Sequence, residues 1–275
     1  MRRILAPFGM AILFILTQIV AVMVVKPFKD AGMEAFENPS DPMNIAQIIV
    51  VILVFTFLIL LIAKYREEMV RYIILFFFFM ASISIFQAFF YFLVPSLSLI
   101  LSIAISIVML LLLIKYPEWY VVDFFGIFLA GGIAAIFAIS LAIPYIIILL
   151  ILLALYDIIS VHKTRHMVKL AENIVASRLP LLMVIPRKAS FSYLKGEFGQ
   201  GERDAVYMGL GDMIMPGVLI AASYMEYGIS GFLATLVGAL IGYAVLMLLI
   251  SRGPQPGLPY LNGGAIAAYL LLHFL

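Results

Sequence analysis

Long apolar segments constrain this chain more than any other feature of its sequence. Nine of them, each close to the roughly 20 residues that an α-helix needs to cross a bilayer, cover residues 4–25, 43–63, 70–93, 96–114, 124–142, 145–162, 206–226, 229–250 and 257–274. With 65% hydrophobic and 12% charged residues, a chain of 275 residues cannot bury this surface in a water-soluble core. We therefore predict an all-α, polytopic membrane protein with nine transmembrane helices in the lipid bilayer.

Two polar stretches, 26–42 and 163–205, interrupt the apolar segments. The second stretch divides the chain into a six-helix N-terminal part, 1–163, a linker loop, 164–205, and a three-helix C-terminal part, 206–275. The N-terminal apolar run is long enough to span and has no small-residue cleavage site, so we expect a first transmembrane helix rather than a signal peptide.

Lysine and arginine are distributed unevenly along the predicted topology. If the nine spans alternate in direction, fifteen of the seventeen basic residues lie on the side of the N-terminus, and only Lys26 and Lys29 lie on the other. The positive-inside rule then predicts a cytoplasmic N-terminus, a cytoplasmic linker and a C-terminus outside. The chain has no cysteine, which excludes disulfides and thiolate metal sites. No metal, cofactor or nucleic-acid partner is expected, and the sequence does not predict an oligomeric state.

Two acidic residues, Asp157 and Asp212, lie well inside predicted spans. Ionisable groups in the membrane are costly and usually mark a functional site. Asp157 precedes the cytoplasmic end of the sixth span, and Asp212 follows the cytoplasmic start of the seventh. At a rise of about 1.5 Å per residue, both lie on the order of 8–9 Å below the cytoplasmic boundary. We therefore predict that the two carboxylates face each other at one level.

Irregular backbone is predicted at the same level. The ninth span opens with Pro256, Gly257, Leu258 and Pro259, which disfavour a regular helix. Such backbone is tolerated in a membrane only where it faces protein or a water-filled cavity. Before Asp212, Gly209 and Gly211 flank Leu210, and their missing side chains would let another backbone approach closely.

Paired carboxylates in a low-dielectric pocket suit two functions. They cannot easily both ionise, so they share a proton. The ionised group can then activate water while the protonated group donates to an amide carbonyl, which is aspartic-protease chemistry. The same pair could instead relay protons in a coupled transporter or channel. The residues alone leave both functions open.

Three short motifs resemble those of presenilins and signal peptide peptidases, which are intramembrane aspartyl proteases with a GxGD motif. They are the Tyr-Asp pair at Tyr156 and Asp157, Gly-Leu-Gly-Asp at 209–212 and Gln-Pro-Gly-Leu-Pro-Tyr-Leu at 255–261, in the family's order. The resemblance covers about residues 145–270. The chain looks like an archaeal or other prokaryotic member of the family. Prepilin-type peptidases share GxGD but commonly carry a lysine after the acid, where this chain has Met213-Ile214-Met215-Pro216.

The resemblance implies a catalytic pair, Asp157 and Asp212, that cleaves transmembrane helices of substrate proteins or peptides. The family's Pro-Ala-Leu motif corresponds to Pro256, Gly257 and Leu258, with glycine in place of alanine. Tyr156 is expected either to hydrogen-bond near the acids or to pack against other residues. Signal peptide peptidases have the inverse orientation, so the predicted cytoplasmic N-terminus agrees with presenilins instead.

Overall fold

A computed structural model describes residues 2–65, 67–161, 181–187, 205–250 and 255–275. Most of the predicted linker, 164–205, lies outside these described residues. The described residues form nine α-helices, which are α1 (Arg2–Asp30), α2 (Met43–Tyr65), α3 (Glu67–Leu93), α4 (Ser98–Lys115), α5 (Trp119–Ser140), α6 (Ile143–Ile159), α7 (Leu210–Tyr227), α8 (Ile229–Leu249) and α9 (Leu258–Phe274).

These nine helices coincide with the nine apolar segments, and the all-α prediction is confirmed. By length and composition, five helices in the described part of the chain could cross a membrane: Ala6–Asp30, Met69–Leu93, Pro95–Lys115, Trp119–Ser140 and Ile229–Leu249. Two shorter apolar helices are Met43–Ile59 and Ile143–Ile159. The number of nine spans therefore stays a prediction.

A short antiparallel strand pair was not predicted. Strand β1 (Leu182–Pro186) pairs with β2 (Ala205–Gly209), with Val184 opposite Tyr207. The first residues of the segment predicted to span at 206–226 are therefore extended, and α7 begins only at Leu210. Partners on β1 satisfy the backbone of these residues, a long-range pairing that hydropathy alone does not reveal.

Three helices, α1, α5 and α7, form the centre of the bundle and contact one another. Their buried faces supply most of the largest fully buried side chains, including Met10, Phe14, Leu129, Met213 and Leu219. Helix α6 lies outside this centre, against α7 and α9. It exposes large apolar side chains, as expected of a helix in contact with lipid.

Small residues bring α8 and α9 into close contact. Gly238 and Gly242 of α8 face Gly264 of α9, and an added Cβ at Gly264 would overlap the backbone of Gly238. Gly238 and Gly242 are spaced four residues apart, and glycines at this spacing let two helix backbones approach. This contact fixes α9, whose first residues belong to the candidate site.

Two neighbouring glycines of α9 provide a test of this contact. Gly264→Ala places a methyl group against the backbone of Gly238, which cannot rotate away, whereas an added Cβ at Gly263 meets no described atom within 4 Å. We expect Gly264→Ala to lower the free energy of unfolding by about 1–3 kcal/mol. Gly263→Ala should leave it nearly unchanged. Thermal unfolding of both variants in detergent measures the difference, and equal midpoints would contradict the close contact.

Candidate active site

Helix α6 directs Asp157 into the bundle. The helix buries Ile146, Leu149, Leu150 and Asp157, which share one face at helical spacing. Asp157 is only 7% exposed, although the apolar side chains around it in sequence are exposed. The carboxylate therefore lies on the inner side of a peripheral helix.

Helix α7 carries Asp212 in its first turn, directly after the strand pair. Strand β2 ends at Gly209, and the N–H of Leu210 donates to the carbonyl oxygen of Leu181 at 3.0 Å. The carboxylate of Asp212 is hydrogen-bonded to the backbone of Gly209. A negative group in the first turn suits the unsatisfied N–H groups and the dipole of a helix N-terminus.

The start of α9 brings the two carboxylates together. The N–H of Leu258 donates to Asp157 Oδ2 at 3.1 Å. An added Cβ on the preceding residue, Gly257, would lie 3.2 Å from both Cγ and Oδ2 of Asp212. Two consecutive residues thus contact both acids, and Asp157 and Asp212 interact electrostatically. The structure therefore brings Asp157, Asp212, Gly257 and Leu258 into one site, with Pro256 buried beside them.

The other residues predicted for the site lie at different distances from the carboxylates. Tyr156 is 58% exposed on the outer side of α6, so it does not join them. Leu210 is buried and packs towards Gly126 of α5. An added Cβ at Gly209 would meet the carboxylate of Asp212 at 3.3 Å, whereas one at Gly211 would meet no described atom within 4 Å. Among the described residues, therefore, no other helix approaches Gly209 or Gly211 closely.

A further buried acid, Asp123, was not predicted. The predicted fifth span starts at residue 124, but α5 begins at Trp119, and Asp123 is only 4% exposed within the bundle. Its Oδ1 accepts a hydrogen bond from the N–H of Val184 in β1 at 2.8 Å. Pro117 followed by Trp119 and Tyr120 is a signal that indicates the earlier start, because proline and interfacial aromatic residues commonly precede or open a membrane helix.

Gln18 of α1 is a further buried polar contact to the helix that carries Asp212. Its Nε2 donates to the carbonyl oxygen of Met213 at 3.1 Å. Pro216 cannot donate the hydrogen bond that a regular helix would give to the carbonyl oxygen of Asp212. The first turn of α7 is therefore held by contacts from outside the helix as well as by its own hydrogen bonds.

The carboxylates are far from a cavity that the bundle forms. A cavity of about 730 Å³ lies at the other end of the bundle, lined by residues that include Lys29, Pro144, Glu226 and His273. Asp157 and Gly257 lie instead at the opposite ends of α6 and α9. Across the described ranges, no group of three or more His, Cys, Asp or Glu side chains could hold a metal ion.

Comparisons with known proteins relate the whole chain to one family. The family model described as signal-peptide peptidase, presenilin aspartyl protease matches residues 10–275. A presenilin family intramembrane aspartate protease solved in space group C222 is 30% identical, with a TM-score of 0.71, and the match covers 96% of this chain and 95% of that one. The same description in space group P2 gives 34% identity, a TM-score of 0.73 and the same coverage.

A search of curated proteins gave no match. The family match nevertheless extends over nearly the whole chain, and the structural matches extend over both chains almost completely. This chain belongs to the signal-peptide peptidase and presenilin family of intramembrane aspartyl proteases.

Proposed function

We propose that Asp157 and Asp212 are the catalytic pair of this intramembrane aspartyl protease. The observation that carries the assignment is the start of α9, where Gly257 and Leu258 contact the two carboxylates. Asp157 and Asp212 come from different helices and are 55 positions apart in sequence, yet both lie beside the same two consecutive residues, Asp157 bonded to Leu258 and Asp212 next to Gly257. A buried acid with a purely structural role needs only one hydrogen-bond partner.

The reaction follows from two carboxyl groups that share one proton. The ionised carboxylate takes a proton from a water molecule, and the water oxygen attacks the carbonyl carbon of the scissile amide. The protonated carboxyl donates its proton to the carbonyl oxygen, which gives a tetrahedral diol. When the diol collapses, the amide nitrogen receives a proton, the C–N bond breaks and the shared proton is restored. Both proton transfers use the chain's own residues, so the reaction requires no cofactor.

The substrate class follows from the depth and surroundings of the pair. Among the residues that the structure describes, only α6 lies on the outer side of Asp157, where Leu155, Ile158 and Ile159 are exposed apolar residues. We infer substrates that are themselves transmembrane helices. In such a helix the backbone amides are hydrogen-bonded internally, so the scissile bond has to unwind before water can attack it. The open space at Gly211 would admit the unwound backbone beside Asp212.

The charge distribution supports a particular topology for the enzyme. Nine spans with fifteen of seventeen basic residues on one side give a cytoplasmic N-terminus, a cytoplasmic linker between the six-helix and three-helix parts, and a C-terminus outside. In this orientation both acids lie near the cytoplasmic face. Substrates should therefore be helices whose N-terminus is outside.

The first test removes each carboxylate without changing its shape. Asp157→Asn and Asp212→Asn should each lower cleavage of a single-span helical peptide in liposomes by about 10²–10⁴-fold or more, because an amide can neither activate water nor donate a carboxyl proton. Mass spectrometry of the wild-type products should show cuts inside the span. Glu226→Gln, a matched change at the opposite end of the bundle, should retain wild-type cleavage.

A pH-sensitive dye inside the same liposomes tests the competing transporter function. Proton flux that depends on both acids, without any cleavage in folded wild-type protein, would replace the protease assignment by a proton relay. Cleavage that survives in either asparagine variant would show that the catalytic pair is wrong.

The glycine that replaces the family's alanine generates a second prediction. Gly257→Ala would place a methyl group 3.2 Å from the Asp212 carboxylate, closer than carbon and carboxylate atoms normally approach. The carboxylate must then move by a few tenths of an ångström, and small displacements of reacting groups are costly. We expect the cleavage rate to fall about three- to tenfold, with unchanged thermal stability. Gly263→Ala is the matched control, and an equal or faster rate in Gly257→Ala would contradict this fit.

Cysteine labelling tests the orientation, since the natural chain has no cysteine. Gly199→Cys, in the linker, should react with an impermeant thiol reagent only from the cytoplasmic side. Leu275→Cys, at the exposed C-terminus, should react only from outside. The reverse pattern would invert the topology, and labelling of both from one side would change the number of spans.

A further inference from the structure

Asp123 is a buried carboxylate that the reaction does not use. It lies on α5, and its Oδ1 accepts the N–H of Val184 at 2.8 Å. Within the described part of the chain, its Oδ2 is buried and has no hydrogen-bond partner. We propose that Asp123 is a positioning residue, which holds strand β1 against α5 and so fixes the strand pair that leads into the first turn of α7, where Asp212 lies. This inference rests on the proposed function of Asp212.

The pairing of the strands explains why Val184 needs this acceptor. In an antiparallel pair, the N–H and C=O of one residue point to the same side, and the side alternates along the strand. The N–H of Leu210 bonds to Leu181, so Leu181, Met183 and Ile185 direct their polar groups towards β2. Val184 therefore directs its backbone N–H and C=O away from β2, and its N–H meets Asp123 of α5. Val184 is fully buried, and without Asp123 its N–H would lose the partner that the structure gives it.

A second contact attaches the same strand to the same helix. Gly126 lies about one turn after Asp123 on α5, and an added Cβ there would be 2.9 Å from Sδ and Cε of Met183. Met183 is itself fully buried. The contact between Met183 and Gly126 sets the distance between β1 and α5. The hydrogen bond from Val184 to Asp123 sets the position of β1 along the helix.

The position of Asp212 depends on the position of β1, because backbone hydrogen bonds and strand pairing connect the two. Leu182 pairs with Gly209, the last residue of β2, and the N–H of Leu210, the first residue of α7, bonds to Leu181. Asp212 follows within the first turn, with its carboxylate hydrogen-bonded to the backbone of Gly209. A shift of β1 along α5 would therefore move the end of β2 and the carboxylate with it.

Two substitutions of the same shape separate the acceptor from the volume of the side chain. Asp123→Asn retains an oxygen for the N–H of Val184, whereas Asp123→Leu does not. We expect cleavage of the single-span peptide in liposomes within about threefold of wild type for Asp123→Asn and about tenfold or more slower for Asp123→Leu. Products of Asp123→Leu should also include cuts at neighbouring bonds, because Asp212 is less well fixed.

Hydrogen–deuterium exchange tests the proposal without any activity. Backbone exchange over 181–187 should increase in Asp123→Leu and not in Asp123→Asn, while exchange over α8 stays unchanged in both. Ser140→Ala is a matched control at the other end of α5, where Ser140 Oγ accepts the N–H of Ala35 at 2.7 Å. It should change neither the cleaved bonds nor exchange over 181–187.

Wild-type exchange over 181–187 together with wild-type cleaved bonds in Asp123→Leu would overturn the proposal. A loss of cleavage in Asp123→Asn as large as in Asp123→Leu would also overturn it, because asparagine retains the acceptor for the N–H of Val184. If Asp123→Leu does not fold, Asp123→Asn decides alone, and raised exchange over 181–187 in that variant is the contrary result. Failure of the catalytic assignment would appear separately, as cleavage that survives Asp212→Asn.

Discussion

The proposed active site depends on the start of α9, where residues 255–257 are not helical. The first N–H groups of any helix have no acceptor within that helix, and in a membrane interior an unsatisfied group costs several kcal/mol. At the start of α9, Asp157 accepts the N–H of Leu258. The carboxylate and the first N–H groups of the helix therefore satisfy each other, which lowers the cost of burying either one.

Helix packing places that interruption with the accuracy that chemistry requires. Gly242 of α8 lies against the backbone of Tyr260, and Gly238 lies against Gly264 one turn further along α9. On the other side, Asn262 of α9 donates to the carbonyl oxygen of Leu150 in α6 at 3.1 Å. The residues before Leu258 are thus fixed by a helix start that is attached to both neighbours, and the acids meet at a rigid point rather than at a loose loop.

The sequence predicts the parts of this protein that depend on local composition. Apolar length gives the helices, and the cost of an intramembrane acid singles out Asp157 and Asp212. What it misses depends on distant partners. The strand pair joins residues inside the predicted linker to the start of the seventh predicted span, and Val206 and Tyr207 look like the start of a span until β1 is known. Asp123 lies one residue before the predicted fifth span, 124–142, and its bond to Val184, which comes from a distant part of the chain, accompanies its burial.

The two acids occupy environments that suit different requirements. Asp212 starts a helix that packs against α1, α5 and the strand pair, so its position is determined from several directions. Asp157 lies near the end of α6, whose outer face exposes apolar side chains and whose inner face, within the described part of the chain, packs mainly against α7 and α9. For the proposed protease, which would draw substrates from the bilayer, one catalytic group has to be held accurately and an entrance has to lie close to the other. The peripheral helix with its inward acid would provide the entrance, and the central helix with an acid in its first turn would provide the accuracy.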